Sequence, residues 1–243
     1  MRLLCLPHAG GTAGAYRDWE PLLPDHVELC LVQYPGRHER LAEPCVDSME
    51  ETADAIAAAL RPELGRDIVL FGHSMGAAVA YEVALRQVAH GRSPRHLIVS
   101  ARPAPHRHPG GDLHTRDDDA LLAELRALSA TDQAVLDDPD LLSLLLPAIR
   151  ADYRLIERYR RDAPPRLDVP LTVFRGRADT RLPAREADHW EEMTTGPFTH
   201  QVFDGGHFYL RGRAHQVVPA VLRAIGTTAT GVPAGGRLRG EVA

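Results

Sequence analysis

Short apolar runs alternate with helical patterns along most of the chain. Turn-forming or small residues follow several of these runs, and the nearly continuous apolar character of residues 67–71 is typical of a strand buried on both faces. The predicted strands cover residues 3–6, 27–32, 67–71, 96–100, 171–174 and 199–203. Alternation of strands and helices predicts an α/β fold, in which a mostly parallel central sheet is flanked by helices.

Helices are predicted at residues 48–60, 75–90 and 215–225. In the first, Ser48 is followed three residues later by Glu51, which is the spacing of a capping box. The apolar positions of this helix recur every three or four residues, so it should bury one stripe. The second helix should end at Gly91, because glycine is common just beyond helix C-termini.

The stretch of about residues 105–165 interrupts this alternation. It opens with proline, histidine and glycine and continues as two amphipathic helical runs without a strand pattern. Pro147 lies in the second run and should kink or split it. About sixty residues of this kind inside a βα rhythm predict a helical insertion that acts as a lid. The alternative is that these helices cover one face of the sheet.

The chain has 243 residues, and α/β folds of up to about 250 residues often form one domain. We therefore expect a single domain over residues 1–225. Residues 226–243 are mostly glycine, threonine, alanine and arginine without a period, and this composition predicts a disordered tail.

The net charge and the amino-acid composition exclude several classes of function. The formal net charge is −5, which argues against a broadly basic surface for nucleic acid. All 28 basic residues are arginines, so no lysine can act as a nucleophile. Cys5, Cys30 and Cys45 form no metal-binding motif, and we expect reduced thiols and no metal. No apolar run reaches the length of a membrane span or a signal peptide core, so we expect a cytoplasmic protein without a membrane contact.

Residues 72–76 read GHSMG, between an apolar strand and a helix with small residues. This is the context of a nucleophile elbow, in which a sharp turn lifts a serine above the sheet edge. The two glycines suit the turn because a Cβ at either position would be crowded. The motif predicts that Ser74 is a catalytic nucleophile.

A nucleophilic serine needs a base, and the base needs an acid that orients it. In folds with this elbow the chain order is serine, then acid, then histidine. Asp179 follows the strand at residues 171–174 in the sequence GRAD, so it is the predicted acid. The competing acids fall in a predicted helix and are Asp188, Glu191 and Glu192.

His207 is the predicted base, because it follows the strand at residues 199–203 through a glycine-rich turn. The other histidines beyond Asp179 are His189, His200 and His215. For the oxyanion hole, the N–H of Met75 directly follows the nucleophile. The second donor should come from a loop after an early strand, and we assign it to Ala9. We expect His8, which precedes the nucleophile, to brace this loop.

Together these residues resemble the α/β-hydrolase superfamily and, within it, the type II thioesterases, which are the stand-alone editing enzymes of polyketide and nonribosomal peptide synthesis. The resemblance extends over about residues 2–225. Its motifs are PHAGG at 7–11, YPGR at 34–37, GHSMGA at 72–77, GRAD at 176–179 and GGHF at 205–208. The helical insertion also falls where this family carries its lid.

The resemblance implies hydrolysis of acyl groups from the phosphopantetheine arm of acyl or peptidyl carrier proteins, which removes stalled or aberrant units. The phosphopantetheine belongs to the carrier protein, so the enzyme itself is expected to need no cofactor. We expect a monomer. Arg37 is expected to bond backbone carbonyls in its loop, and the alternative is contact with an acidic carrier protein.

Three other functions fit the same residues. A small-molecule carboxylesterase could use the same triad, because thioesters and oxygen esters pass through similar tetrahedral intermediates. An acyltransferase or cyclase would offer the acyl-serine a bound nucleophile in place of water. A non-catalytic module that binds carrier proteins would use the fold only as a scaffold.

Overall fold

A seven-stranded, all-parallel sheet forms the centre of the computed structural model, which describes residues 1–60, 67–128, 136–227 and 241–242. The strands are β1 (Arg2–Leu6), β2 (Glu28–Val32), β3 (Ile68–His73), β4 (His96–Ser100), β5 (Leu171–Gly176), β6 (Phe198–Phe203) and β7 (Glu241–Val242). Their order in the sheet is β6-β5-β4-β3-β1-β2-β7. The six predicted strands are confirmed, with bounds that shift by at most two residues.

The last strand lies in the segment that the sequence predicts as a tail. Glu241 and Val242 pair in parallel with Leu31 and Val32 of β2 at the sheet edge. Residues 228–240 and 243 lie outside the described residues. The division into one domain and a tail stays a prediction.

Helices cover both faces of the sheet. They are α1 (Met49–Ala59), α2 (Met75–Ala89), α3 (Asp118–Leu128), α4 (Pro139–Arg158), α5 (Ala184–Asp188) and α6 (Ala214–Ala224). The Ser48 hydroxyl accepts a hydrogen bond from the Glu51 N–H, so the predicted cap of α1 is confirmed. Helices α1 and α2 pack on one face, and α6 packs on the other.

A 3₁₀-helical segment, Ala13–Leu22, completes the second face and was not predicted. Its buried Trp19 ring lies 4.9 Å from the ring of Phe71 in β3, measured between centroids. The periodicity of an α-helix cannot reveal such a segment, because 3₁₀ geometry repeats every three residues. The aromatic side chains nevertheless bury large apolar areas, and this burial holds the segment on the sheet.

The predicted insertion contains α3 and α4. Pro147 lies inside a continuous α4, so the helix is not split there. Leucines of α3 form a separate apolar cluster with Ile149 and Tyr153 of α4. Leu155 and Ile156, near the end of α4, belong instead to the main core beside the sheet. The insertion therefore has an apolar cluster of its own between α3 and α4, and the C-terminal end of α4 packs on the main core.

Within the described ranges, no helix is both long and apolar enough to cross a membrane.

Candidate active site

Ser74 lies in the sharp turn between β3 and α2. Its backbone has φ 54° and ψ −117°, a strained conformation for a residue with a side chain. A Cβ at Gly72 would lie 2.0 Å from the Gly76 carbonyl oxygen, and a Cβ at Gly76 would lie 2.1 Å from the Leu6 carbonyl oxygen. Both glycines are therefore required by backbone packing. The turn has the geometry that the GHSMG motif predicts.

The three predicted triad residues form one hydrogen-bonded chain. His207 Nε2 lies 3.0 Å from Ser74 Oγ, and His207 Nδ1 lies 3.0 Å from Asp179 Oδ2. The second oxygen of Asp179 accepts a hydrogen bond of 2.9 Å from the Arg181 N–H. The Asp179 side chain is fully buried, and the His207 side chain is 8% exposed. This arrangement can remove a proton from the serine hydroxyl and hold the imidazole that receives it.

Four of the competing residues pair with one another. Asp188 lies 3.1 Å from His200 Nδ1, and His189 Nδ1 lies 2.7 Å from Glu192. His8 is buried and packs edge-on against Phe208, with ring centroids 4.6 Å apart. Its position in the structure agrees with a bracing role in its loop.

Ala9 and Met75, the predicted oxyanion donors, line the same cavity as Ser74 and His207. Their backbone N–H groups have no hydrogen-bond acceptor among the described residues. Met75 is also the first residue of α2, where the helix dipole favours negative charge. The two donors are thus available to an anionic oxygen at the serine.

The cavity has a volume of about 450 Å³ and includes residues that sequence reasoning missed. These are Arg102, His108, Tyr153, Glu157 and Arg181. Burial lowers the pKa of Arg102 to about 10. Burial first, and then the charge of Arg102, lower the pKa of His108 to about 3, so this ring is neutral near pH 7. The spacing of Tyr153 and Glu157 on one helix face is a signal that could have identified them.

His73, the residue before the nucleophile, is buried without charge. Its Nδ1 lies 2.8 Å from Ser100 Oγ, which is 2.7 Å from the Tyr209 hydroxyl. Burial, and then the neighbouring imidazoles of His207 and His8, lower the pKa of His73 well below its usual value. His73 therefore adds no positive charge beside the catalytic imidazole.

Among the residues that the structure describes, one group of side chains has the composition of a metal site. His106, His189 and Glu192 offer ligand atoms that all lie within 4.8 Å of one another. None of the three lines the cavity at Ser74. The expectation that the protein uses no metal stays a prediction.

A parallel sheet whose central strand leads through a strained serine into a helix, with the acid and the histidine after later strands, defines an α/β-hydrolase. A family model described as the Thioesterase domain matches residues 1–228. The chain belongs to this thioesterase family.

Relatives agree with this assignment. The chain is 44% identical to "Thioesterase PikA5" of Streptomyces venezuelae over 89% of this chain and 78% of that protein. It is similar to the type II thioesterase BorB from the borrelidin biosynthetic cluster, with a TM-score of 0.84, 39% identity and coverage of 94% and 92% of the two chains. It is also similar to RedJ, a thioesterase from the prodiginine pathway in Streptomyces coelicolor, with a TM-score of 0.85, 41% identity and coverage of 90% and 84%.

Proposed function

We propose that this protein is a serine thioesterase that hydrolyses acyl groups from the phosphopantetheine arm of acyl or peptidyl carrier proteins. In this role it removes aberrant or stalled acyl units during polyketide or nonribosomal peptide biosynthesis. The observation that carries the proposal is the hydrogen-bonded chain from Ser74 through His207 to Asp179 at the cavity. Membership of the thioesterase family supports the choice of thioester as the substrate.

In the first half of the reaction, Ser74 Oγ attacks the thioester carbonyl carbon while His207 Nε2 accepts the hydroxyl proton. Asp179 holds the ring and stabilises the imidazolium. The carbonyl oxygen becomes an oxyanion that the N–H groups of Ala9 and Met75 bind. The C–S bond then breaks, His207 returns the proton to the thiolate, and the carrier protein leaves with a free thiol.

In the second half, water attacks the acyl-serine. His207 removes a proton from the water, the same two N–H groups bind the second oxyanion, and the proton returns to Ser74 Oγ as the acid is released. Every step uses groups of this chain, so the protein requires no cofactor of its own. The phosphopantetheine enters with the carrier protein. We further propose a cytoplasmic monomer that binds neither nucleic acid nor membrane.

The test compares acyl-carrier thioesters with matched p-nitrophenyl esters, for the wild type and for Ser74→Ala. The proposal predicts a clear preference for the carrier-bound thioester that is lost in the variant. Fast ester hydrolysis without use of the carrier would identify a carboxylesterase. Transfer of the acyl group to an added amine or alcohol in place of water would identify an acyltransferase. Carrier binding without any turnover would identify a binding module.

A further inference from the structure

A buried ion pair joins a loop beside the active site to helix α4. Arg37 follows the Pro35-Gly36 turn, and Asp152 lies in α4. Arg37 Nη1 donates to Asp152 Oδ2 at 2.6 Å, and Nη2 donates to Oδ1 at 2.8 Å. Both side chains are only 3% exposed. This is a two-pronged guanidinium–carboxylate contact inside the protein, where water screens it little.

The same two side chains hold the loop that carries Ala9, here called the oxyanion loop (residues 7–11). Asp152 Oδ2 accepts a hydrogen bond of 2.7 Å from the Gly10 N–H. Arg37 Nη1 donates to the Gly11 carbonyl oxygen at 3.2 Å. The peptide between Ala9 and Gly10 is therefore bound by a negative charge, and the Gly11 carbonyl is bound by a positive one.

The sequence analysis predicts the backbone contacts of Arg37 but not its ion pair with Asp152. Arg37 does bond backbone carbonyls, those of Pro35 and Gly11. Its burial leaves no surface for an acidic carrier protein to reach, so the alternative role is wrong. Burial would lower the pKa of Arg37, but the charge and hydrogen bonds of Asp152 outweigh burial and raise it.

Neutral contacts also hold this loop: the Gly11 N–H donates to the His8 carbonyl oxygen at 2.8 Å, and the Tyr34 hydroxyl donates to the Pro7 carbonyl oxygen at 3.3 Å. Neither of these two bonds involves the peptide between Ala9 and Gly10. Asp152 accepts hydrogen bonds at both carboxylate oxygens, so the buried charge is satisfied. A side chain at Gly10 would meet Ile149 Cγ1 at 3.1 Å, so α4 lies directly against the loop. If the ion pair is lost, the Gly10 N–H and the Gly11 carbonyl lose their partners together. The peptide next to the oxyanion donor then loses the charged acceptor of its N–H.

We propose that Arg37 and Asp152 are positioning residues for hydrolysis, because their ion pair sets the place of the Ala9 N–H in the oxyanion hole. This inference rests on the proposed function of Ala9. Neither side chain touches the substrate in this account. Their effect falls on the transition state, where the oxyanion forms, and it leaves substrate binding nearly unchanged.

The experiment uses two variants. Asp152→Ala removes the contacts of this side chain with Arg37 and with the Gly10 N–H, and Asp152→Asn keeps an acceptor oxygen but removes the charge. Loss of one oxyanion donor costs about 10²–10³ in kcat, and a displaced donor should cost part of that. We expect kcat of Asp152→Ala to fall by about 10- to 100-fold and that of Asp152→Asn by about 3- to 10-fold, with KM nearly constant. The rate at which a fluorophosphonate probe labels Ser74 should fall in parallel, because phosphonylation also develops negative charge on oxygen.

The control is Glu82→Gln in α2. Glu82 is also buried, and it accepts hydrogen bonds from Arg86, Tyr159 and Arg161, away from the oxyanion loop. This variant should lower the melting temperature without slowing the labelling of Ser74. Assays run well below every melting temperature separate positioning from stability.

The proposal is overturned if both Asp152 variants are folded and label at the wild-type rate, or if the control slows labelling as much as they do. If Asp152→Ala does not fold, Asp152→Asn decides by the same criterion. Labelling of Ser74 needs no thioester. A wild type that labels rapidly but ignores carrier thioesters would therefore contradict the proposed function and leave the positioning test intact.

Discussion

The two halves of helix α4 differ in almost every physical respect. Residues 139–147, the outer half, contain no buried residue, and Leu141 and Leu144 are 42% and 52% exposed. In residues 148–158, the inner half, the buried residues are Ala148, Ile149, Ala151, Asp152, Tyr153, Leu155 and Ile156. One continuous helix therefore begins at the surface and ends in the core.

Hydrogen bonds made by acidic side chains also distinguish the inner half of α4 from the outer half. Asp152 in the inner half holds Arg37 and the oxyanion loop. Glu157 accepts hydrogen bonds from the backbone N–H groups of Leu113 and His114, at 3.0 and 2.9 Å. Pro147 stands where the halves meet and has no N–H for the helix ladder. We interpret the inner half, with α3 packed against its Ile149 and Tyr153, as part of the catalytic framework, and only the outer half as the movable lid.

The largest expected effect comes from the triad and sets the scale for variants in α4. Asp179→Asn should leave a folded protein whose kcat is lower by about 10⁴, because the imidazole loses the charge that orients it. Steady-state hydrolysis of an acyl-carrier thioester measures this effect. Wild-type turnover in this variant would mean that another acid orients His207.

A pair of truncations tests the two halves directly. Ile149→Ala in the inner half should lower the free energy of unfolding by about 2–5 kcal/mol, because it leaves a cavity in a packed cluster. Leu144→Ala in the outer half should change it by less than about 0.5 kcal/mol, because the side chain is largely exposed. Urea unfolding of both variants gives the comparison. Equal losses would contradict the division of the helix.

Low pH should lower the stability of the region next to the inner half of α4. His108 is buried beside Arg102, which donates to the Ile156 carbonyl oxygen at 3.4 Å. Burial and then the charge of Arg102 lower the pKa of His108 to about 3, whereas an unfolded chain protonates its histidines near the ordinary value. Between these two values the unfolded state binds the extra proton, so stability falls as pH falls.

From pH 7 to pH 5 this histidine should account for a loss of about 2 kcal/mol in the free energy of unfolding. His108→Gln removes the titrating group and should therefore lose less stability over the same interval. Urea unfolding of both proteins at the two pH values measures the difference. Identical pH dependence would show that His108 titrates alike in the folded and unfolded states.

The smallest effect is expected at Pro147, where the two halves of α4 meet. Pro147→Ala restores an N–H to the ladder of α4 and should raise the free energy of unfolding by about 1 kcal/mol, a part of the roughly 3 kcal/mol that proline costs in a helix interior. Hydrogen exchange should then slow in the outer half, and in the wild type it should be faster there than in the inner half. Uniform protection along the wild-type α4 would favour a fixed cover over a lid.

Local sequence was sufficient for much of the fold and for the placement of the triad. The strands and the GHSMG turn depend on neighbours along the chain, and the order of Ser74, Asp179 and His207 follows from that turn. The catalytic roles of these residues stay predictions, although the structure brings the three together.

What the sequence did not reveal depends on contacts between distant segments. Asp152 pairs with Arg37 across 115 positions, and no local pattern encodes that pairing. Its one local signal is an acidic residue on the apolar face that also carries Ile149 and Ile156. The short strand β7 and the 3₁₀ segment Ala13–Leu22 were likewise missed, because tertiary packing rather than periodicity stabilises them.

The most direct test of the account is rapid-quench mass spectrometry of the protein mixed with an acyl-carrier thioester. We predict a transient mass increase equal to the acyl group, located on the peptide that contains Ser74 and absent from Ser74→Ala. Turnover without this adduct, or an adduct on another residue, would contradict the assignment of Ser74 as the nucleophile.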